Sequence, residues 1–491
     1  MSQPTHMTDP MRRHVTVAWR IPDDYGGMTG AALRRSRGLA ARGAQVEVVT
    51  FDDRPDYDVV RRRLESSGAL GGATLRNIYE DFRVAERSAG LAIAPSAARD
   101  DPNEVVTTDA GEVRRWRDDD GLRRVEHVRA DGTIAVVEEA TVRAGGSRHV
   151  TSLDRRGRVT GQWPSVRSFR FAWLDGLIGS EPTVVTVDSK TAAQTLQHYA
   201  RPNAALILMI HADHRSPKGG VAPSRGDVFE HLDRWDAVVV LTERQRAIID
   251  ADFGGGDRLA VVRNAVGTPA SIPRLPRDRM HGVIVSRMTP LKRLDHVLRV
   301  VADVRERGVP VTLELVGDGG ARKRTEALAA ELGLRDAVQF AGHIADGAAR
   351  FEAGGWTMLA SRSEGESLTL SEAMGAGCVP VAYDIDFGPA EAIEPGVSGF
   401  LVPAGDIAAA ADALEQVCRM PDAEYAAMRA AARAAAATRT DDAHLDAWEA
   451  VHDDALARRA ARRVEKPAKP SLRERVVRRL GGRIPRAWRR R

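Results

Sequence analysis

Residues 357–383 read TMLASRSEGESLTLSEAMGAGCVPVAY, and this stretch decides the fold. The apolar run at 357–361 has the character of a buried strand, and a polar loop follows it. Ser367 suits a helix N-cap, Leu370, Ala373 and Met374 point toward a core, and Gly377 suits the helix stop. A second apolar run occupies 379–383. Strand, loop, helix and strand without a hairpin turn make a βαβ unit, which implies a parallel sheet covered on both faces.

The same rhythm extends outward. Upstream lie strands expected at 282–286, 311–316 and 338–341, with helices at 290–307 and 322–332 between them; downstream lie helices at 404–420, 424–438 and 442–457. Pro269, Pro273 and Pro276 break the charged segment 268–280, the best inter-domain linker in the chain. Before it, strand 15–19, a glycine-rich turn, helix 31–42, Gly43 and strand 46–50 form another βαβ unit, and apolar runs at 183–187, 206–210 and 237–241 resume it. Between 81 and 173 short alternating runs are broken by Asp120-Gly121, Asp131-Gly132 and Arg156-Gly157, the pattern of antiparallel strands joined by tight turns. The expected organisation is one α/β domain over 14–80 and 174–267, a β-rich insertion over 81–173, a second α/β domain over 281–440, a helix over 441–461 and a basic tail over 462–491. Ligands of such sheets bind beyond the carboxyl ends of the strands, here in the cleft between two doubly wound domains.

Four strand-end loops reach that cleft. Gly26-Gly27-Met28-Thr29-Gly30 allows a phosphate or sugar to approach backbone N–H groups, or is a tight turn without a ligand; it lacks the GxGxxG spacing of a nicotinamide-cofactor loop. In Ser286-Arg287-Met288-Thr289-Pro290-Leu291-Lys292-Arg293, Thr289 and Pro290 suit a helix start. Lys292 then falls in the first turn, where the helix dipole disfavours a cation by ~0.3–1 kcal/mol unless an anion is bound. A diphosphate clamp of Arg287 and Lys292 is one reading of this placement, a cation there without a bound anion the other, with Arg293 read as a solvated surface residue. Glu364 and Glu372 stand eight positions apart, each able to accept two hydroxyl bonds from a vicinal diol at opposite ends of one elongated ligand. Capping and dipole compensation remain the alternative for Glu364 and Glu366. In the fourth loop, Ile210-His211-Ala212-Asp213-His214, the spacing is not that of a helical HExxH pair and no third ligand cluster is nearby. A strand-end imidazole facing the cleft is therefore preferred for His211, with Asp213 and His214 ordering the loop, and no metal is assigned.

Composition narrows the class. Of 491 residues 43% are hydrophobic and 29% charged, the balance of a soluble globular protein. Two cysteines, Cys378 and Cys418, exclude a disulfide framework and favour cytosolic chemistry. No apolar run follows Arg12 and Arg13, so no secretory signal is expected, and no apolar run approaches the 18 or more residues of a spanning helix. The net charge of +4 is uneven: residues 462–491 hold 13 Lys or Arg against 2 Asp or Glu, and the remaining 461 hold 59 basic and 66 acidic groups. A basic nucleic-acid-binding body is excluded, and a tail-borne nucleic-acid module lacks interleaved aromatics beyond Trp488.

Residues 364–372, with Cys378-Val379-Pro380-Val381 and Phe387-Gly388-Pro389-Ala390-Glu391, resemble the E-x7-E region of glycosyltransferase family 4, retaining enzymes of the GT-B fold. Ser286-Arg287 with Lys292 resembles its donor-diphosphate motif, and Gly26-Gly27 its N-terminal glycine-rich loop. The β-rich insertion, His211 to His214 and Leu241-Thr242-Glu243-Arg244-Gln245 are similar to one branch. That branch contains poly(glycerol-phosphate) α-glucosyltransferases, wall teichoic acid α-N-acetylglucosaminyltransferases and accessory-Sec adhesin glycosyltransferases. The resemblance implies that Arg287 and Lys292 neutralise the leaving diphosphate, Glu372 holds the ribose, Glu364 contacts the donor sugar and His211 assists near the sugar 6-hydroxyl. It implies transfer of glucose or N-acetylglucosamine from a nucleotide sugar, as in UDP-linked donors, to a hydroxyl of a cell-wall or polyol-phosphate acceptor, with no separate cofactor. Two departures stand out: Glu366 replaces a common Phe, and Ala212-Asp213 replaces Asn-Asn on the acceptor side. A protein or small-molecule acceptor, a phosphorolysing or epimerising enzyme of the same fold, and a non-catalytic partner subunit remain alternatives. The insertion has edge strands that must be paired or covered, which with the resemblance implies a homo-oligomer. In the tail, Leu472, Val476 and Leu480 among arginines, with Trp488, fit either contact with an anionic inner membrane face or a solubilising terminus.

Overall fold

Strands buried at every position must have both faces covered. Thr183–Val187 and Ala204–Met209 meet that condition, and both lie inside a seven-stranded parallel sheet. The computed structural model describes residues 12–85, 95, 98, 100–119, 121–140, 148–216, 220–267 and 278–465. Residues 268–277 of the expected linker 268–280 and residues 466–491 of the expected tail 462–491 lie outside the described residues, and the helix expected to end at 461 runs on to Glu465.

The strands in chain order are β1 (Arg13–Val17), β2 (Gln45–Thr50) and β3 (Thr74–Asn77), then six from β4 (Glu104–Thr108) to β9 (Val159–Trp163). The first sheet continues with β10 (Thr183–Val187), β11 (Ala204–Met209), β12 (Ala237–Val240) and β13 (Leu259–Val261). The second comprises β14 (His281–Val285), β15 (Thr312–Val316), β16 (Val338–Gly342), β17 (Trp356–Leu359), β18 (Val379–Asp384) and β19 (Phe400–Pro403). The first sheet runs β13-β12-β11-β10-β1-β2-β3 and the second β16-β15-β14-β17-β18-β19. Every pairing in both is parallel. Strand order therefore reverses between β1 and β10 in one sheet and between β14 and β17 in the other. Crevices open at such reversals, and each of the four loops singled out in the sequence leaves a strand at or next to one.

Local chemistry explains most elements. In the helix Leu294–Glu306 the apolar series Leu294, Val297, Leu298, Val301 and Val304 is buried against the second sheet, as its spacing predicts. Ser367 caps the helix Leu368–Ala376 through a bond from Leu370 N–H, and Gly377 ends it in the left-handed region. Two expectations are corrected. The helix expected at 31–42 spans Gly27–Ala41, so Gly26 is its N-cap and the glycine loop is its first turn. The helix expected at 290–307 is interrupted: Pro290–Lys292 is a single 3₁₀ turn, Arg293 is left-handed at φ 45°, and the α-helix begins at Leu294.

The insertion is a six-stranded antiparallel meander in the order β4 to β9. It shares the core of the first sheet: Ala135, Val136 and Val150 are buried in one cluster with Val15, Val185 and Phe169. Tyr79 stacks on His127 at 3.8 Å between ring centroids and donates to Glu138 at 2.5 Å.

The chain then returns from the second sheet to the first. The helix Asp441–Glu465 lays Trp448, Val451 and Ala455 on Val184, Ala205, Ile207 and Val239. Arg42 bonds Asp446 and Glu449 on the same helix, and the Arg35 guanidinium lies 4.5 Å from the Trp448 ring centroid. Beneath it His14 and His452 face each other with centroids 4.7 Å apart, and neither ring has a hydrogen-bond partner among the described residues. Burial, with Arg12 and Arg35 nearby, lowers His14 to about 3; burial and His14 push His452 well below its ordinary value. Both rings are neutral in the folded protein and protonate near 6.5 once unfolded, so folding stability is lost as pH falls below about 6.5. Replacing either histidine by Gln should flatten the fall in stability between about pH 6 and 4 by about 1.4 kcal/mol per pH unit. Urea unfolding at stepped pH measures it, and an unchanged slope in both variants would refute the neutral pair.

Candidate active site

At the reversal of the second sheet the chain leaving β14 carries Arg287 and Lys292. Met288 N–H donates to Asp318 O in the loop leaving β15, and Arg362 N–H donates to Leu291 O, which ties this loop to the one leaving β17. Arg293 is the one non-glycine residue with positive φ among the described residues. A bulky side chain there is strained, and its guanidinium Nε is buried without a partner, so Arg293 is not the solvated surface residue expected from the sequence. The turn it makes puts Lys292 ahead of the helix, not in its first turn. Lys292 Nζ instead donates to Glu364 Oε1 at 2.6 Å, with both side chains largely buried. Arg287 is exposed, and no carboxylate pairs with it among the described residues. A side chain added at Gly26 would come within 3.7 Å of Arg287 Nε, and one at Gly27 within 3.2 Å of Leu368 Cδ1. The glycine loop of the first domain therefore faces the cationic loop of the second.

The loop leaving β17 approaches the first domain closely. A Cβ on Gly365 would lie 2.3 Å from His211 O, so only glycine fits. Beside it Ser363 donates to Asp213 at 3.1 Å. Glu366 is buried and accepts from Asn264 N–H and Nδ2, both at 2.9 Å, and from Arg439 at 2.7 Å. Burial raises the Glu366 carboxyl, while Arg439 and the Asn264 donors oppose that rise. The helix-capping reading of Glu366 is therefore corrected: the carboxylate crosses between domains. Six residues on, Glu372 is half-buried in the helix Leu368–Ala376 and makes no hydrogen bond among the described residues. Burial raises its carboxyl, with Arg34 opposing.

On the first-sheet side His211 follows β11. Its Nε2 lies 2.8 Å from Asp188 Oδ1, and Asp188 also accepts two bonds from Arg35, at 2.6 and 3.1 Å. Burial works against this carboxylate, but Arg35 and His211 hold it at about 2. An ionised acceptor fixes the tautomer in which Nε2 carries the proton. Sequence reading missed Asp188 and Arg35. Asp188 had a usable signal, as the first polar residue after the apolar run of β10; Arg35, on the inner face of a helix, had none. His214 is fully buried against Phe229 and Phe387 with neither ring nitrogen bonded, and Asp213 is paired with Arg215. These two order the loop.

Removing one partner of a buried charge pair costs about 3–5 kcal/mol because the other is left uncompensated. Glu366→Ala should therefore destabilise the chain by about that amount, and Glu366→Gln, which keeps an oxygen for Asn264, by less. Chemical denaturation of the three proteins reads the difference, and E366A within about 1 kcal/mol of the parent would contradict the buried bridge.

Residues 273–435 match the family model described as Glycosyl transferases group 1. An exopolysaccharide phosphotransferase of Streptomyces coelicolor is 31% identical over 309 residues, 59% of this chain and 30% of that protein. The chain thus spans about a third of the length of that relative. A poly(ribitol-phosphate) α-N-acetylglucosaminyltransferase of Staphylococcus aureus is 21% identical over 460 residues, 83% of this chain and 92% of that one. Among solved structures, a mutant of S. aureus TarM in complex with fondaparinux, α-GlcNAc-glycerol and UDP superposes with a TM-score of 0.72 at 19% identity, covering 90% of this chain and all of the other. The chain has the GT-B fold, with a glycosyl transferases group 1 domain in its second half.

Proposed function

We propose that this chain is a retaining hexosyltransferase that moves glucose or N-acetylglucosamine from a UDP-linked donor to a hydroxyl of a polyol-phosphate or related cell-wall glycan. The observation that carries the reading is the Lys292–Glu364 pair of 2.6 Å, beside the Gly365–His211 contact. A nucleotide sugar presents the complement of that pair: phosphate oxygens for the cation and sugar hydroxyls for the carboxylate. TarM, of the same fold, holds UDP and a GlcNAc-glycerol, which supports the donor and acceptor classes.

The chemistry follows from where charge develops. As the anomeric carbon separates from the diphosphate, positive charge grows on the sugar and negative charge on the leaving oxygen. Arg287, which pairs with no carboxylate among the described residues, and Lys292 stabilise the second charge in the cleft, where such stabilisation lowers the barrier. Glu364 orients the donor sugar and shields the growing positive charge. Glu372, half-buried and without a hydrogen bond among the described residues, takes the two ribose hydroxyls that offset its desolvation. His211, oriented by Asp188, lies toward the hydroxyls at the reacting centre. The acceptor attacks on the face the diphosphate leaves, which retains configuration. The reading includes peripheral attachment through the basic residues beyond 465 and self-association through the edge strand β4, where Val105 and Val106 are exposed.

Two experiments test these roles. Lys292→Ala and Arg287→Ala should each lower the rate of transfer from UDP-glucose or UDP-N-acetylglucosamine about a hundredfold or more, and activity within about threefold of the parent would exclude a clamp. In calorimetric titration with UDP, Glu372→Ala should weaken binding by roughly tenfold, while Glu364→Ala binds as the parent does but fails in transfer. Equal UDP affinities in these two variants would reverse the assignment of the carboxylates.

A further inference from the structure

A cavity of about 340 Å³ opens beyond the carboxyl ends of β1, β10 and β11, on the first-domain side of the cleft. His211 and Asp188 lie in its wall, and Trp19, Met28, Val228 and Phe229 supply apolar surface. Three cations also line it: Arg20, Lys190 and Arg225. None of the three has a carboxylate partner among the described residues. The one carboxylate in the wall, Asp188, is already neutralised by Arg35 and bonded to His211. Asp213, which attracts Arg225 from a distance, is engaged by Arg215 through both oxygens and by Ser363. The cavity wall is thus net positive within a body whose residues before 462 are net acidic.

Arg225 is the decisive member of the three. Its side chain is half-buried, and burial lowers its affinity for a proton, so the guanidinium carries an uncompensated desolvation cost. Its backbone is pinned: Arg225 N–H donates to Ala222 O at 2.7 Å, its own carbonyl accepts from Val228 and Phe229, and Gln194 Nε2 bonds the neighbouring Ser224 O at 2.7 Å. A guanidinium on an anchored backbone, half-buried beside apolar side chains, is a partner for a tetrahedral oxyanion, since the low local dielectric strengthens the pair. We propose that Arg225, assisted by Lys190, binds a phosphate of the acceptor and so presents a hydroxyl of that acceptor to His211. The inference rests on the proposed transfer reaction and identifies what selects its acceptor: a phosphate-bearing polyol is taken and an uncharged one is not.

Binding is read by titrating a short glycerol-phosphate oligomer into the full chain, with an uncharged polyglycerol of equal length and inorganic phosphate as separate arms. UDP affinity serves as the check on folding and on the donor side. The oligomer should bind and the polyglycerol should not. Arg225→Ala should weaken the oligomer at least about tenfold, the scale of one lost charge-assisted pair, with Arg225→Lys intermediate and Lys190→Ala weakened less. UDP should bind all variants as it binds the parent. Oligomer affinity unchanged in R225A would overturn the proposal, as would equal binding of polyglycerol. A parallel loss of UDP affinity would assign Arg225 to the donor, and full competition by equimolar inorganic phosphate would assign the cavity to free phosphate; either result overturns the acceptor site. Failure of the proposed reaction is seen separately, as absence of UDP-sugar turnover by the parent, and oligomer binding lost in R225A would still support the anion site in that event.

Discussion

The site depends on the approach of two strand-end loops from different sheets, and the buried carboxylate of Glu366 fixes that approach. It reaches Asn264 at the end of the first domain and Arg439 just before the return helix, while Gly365 beside it rests on the His211 backbone. A carboxylate so deeply buried persists only when its oxygens are bonded. Its partners come from both domains, so domain spacing and charge satisfaction are one constraint. The glycine loop of the first domain meets Arg287 and Leu368 of the second under that constraint.

The same logic recurs on the first-domain side, with the opposite outcome for one group. Asp188, Arg35 and His211 form a closed set in which every charge is compensated, and Trp448 of the return helix covers the guanidinium. Arg225 and Lys190, on the same cavity wall, have no counter-ion among the described residues. One set of charges in this wall is thus electrostatically complete and orients an imidazole, and the other is incomplete and, on the proposal above, selects an anion. The return helix holds this arrangement by burying Trp448, Val451 and Ala455 across the sheet.

Reading the residues in order recovered the sheets because parallel strands announce themselves by continuous apolar runs and their crossover helices by capping and periodicity. It was less accurate where backbone geometry departs from a regular element. The helix drawn from 290 is a 3₁₀ turn, a left-handed Arg293 and then an α-helix, and no residue type at 293 announces φ 45°. Nor was β19 legible, since Phe400–Pro403 is too short and too close to glycine and proline to carry a pattern.

Sequence alone determined the alternation of strands and helices, the loops at the strand ends and the net charge split between body and tail, and it supplied the residues proposed to meet a diphosphate or a diol. Each is written in residues within a few positions of one another. Tertiary structure alone decided which charges are paired. Arg35 and Asp188 are separated by 153 residues, Glu366 and Arg439 by 73, and Lys292 and Glu364 by 72. An ionic hydrogen bond forms only when such groups arrive within roughly 3 Å of each other, a condition that periodicity and spacing do not encode. For that reason Glu366 reads as a cap in the sequence and stands as a bridge in the fold, and Arg225, one arginine among many in the chain, becomes distinctive only by the absence of a counter-ion among the described residues.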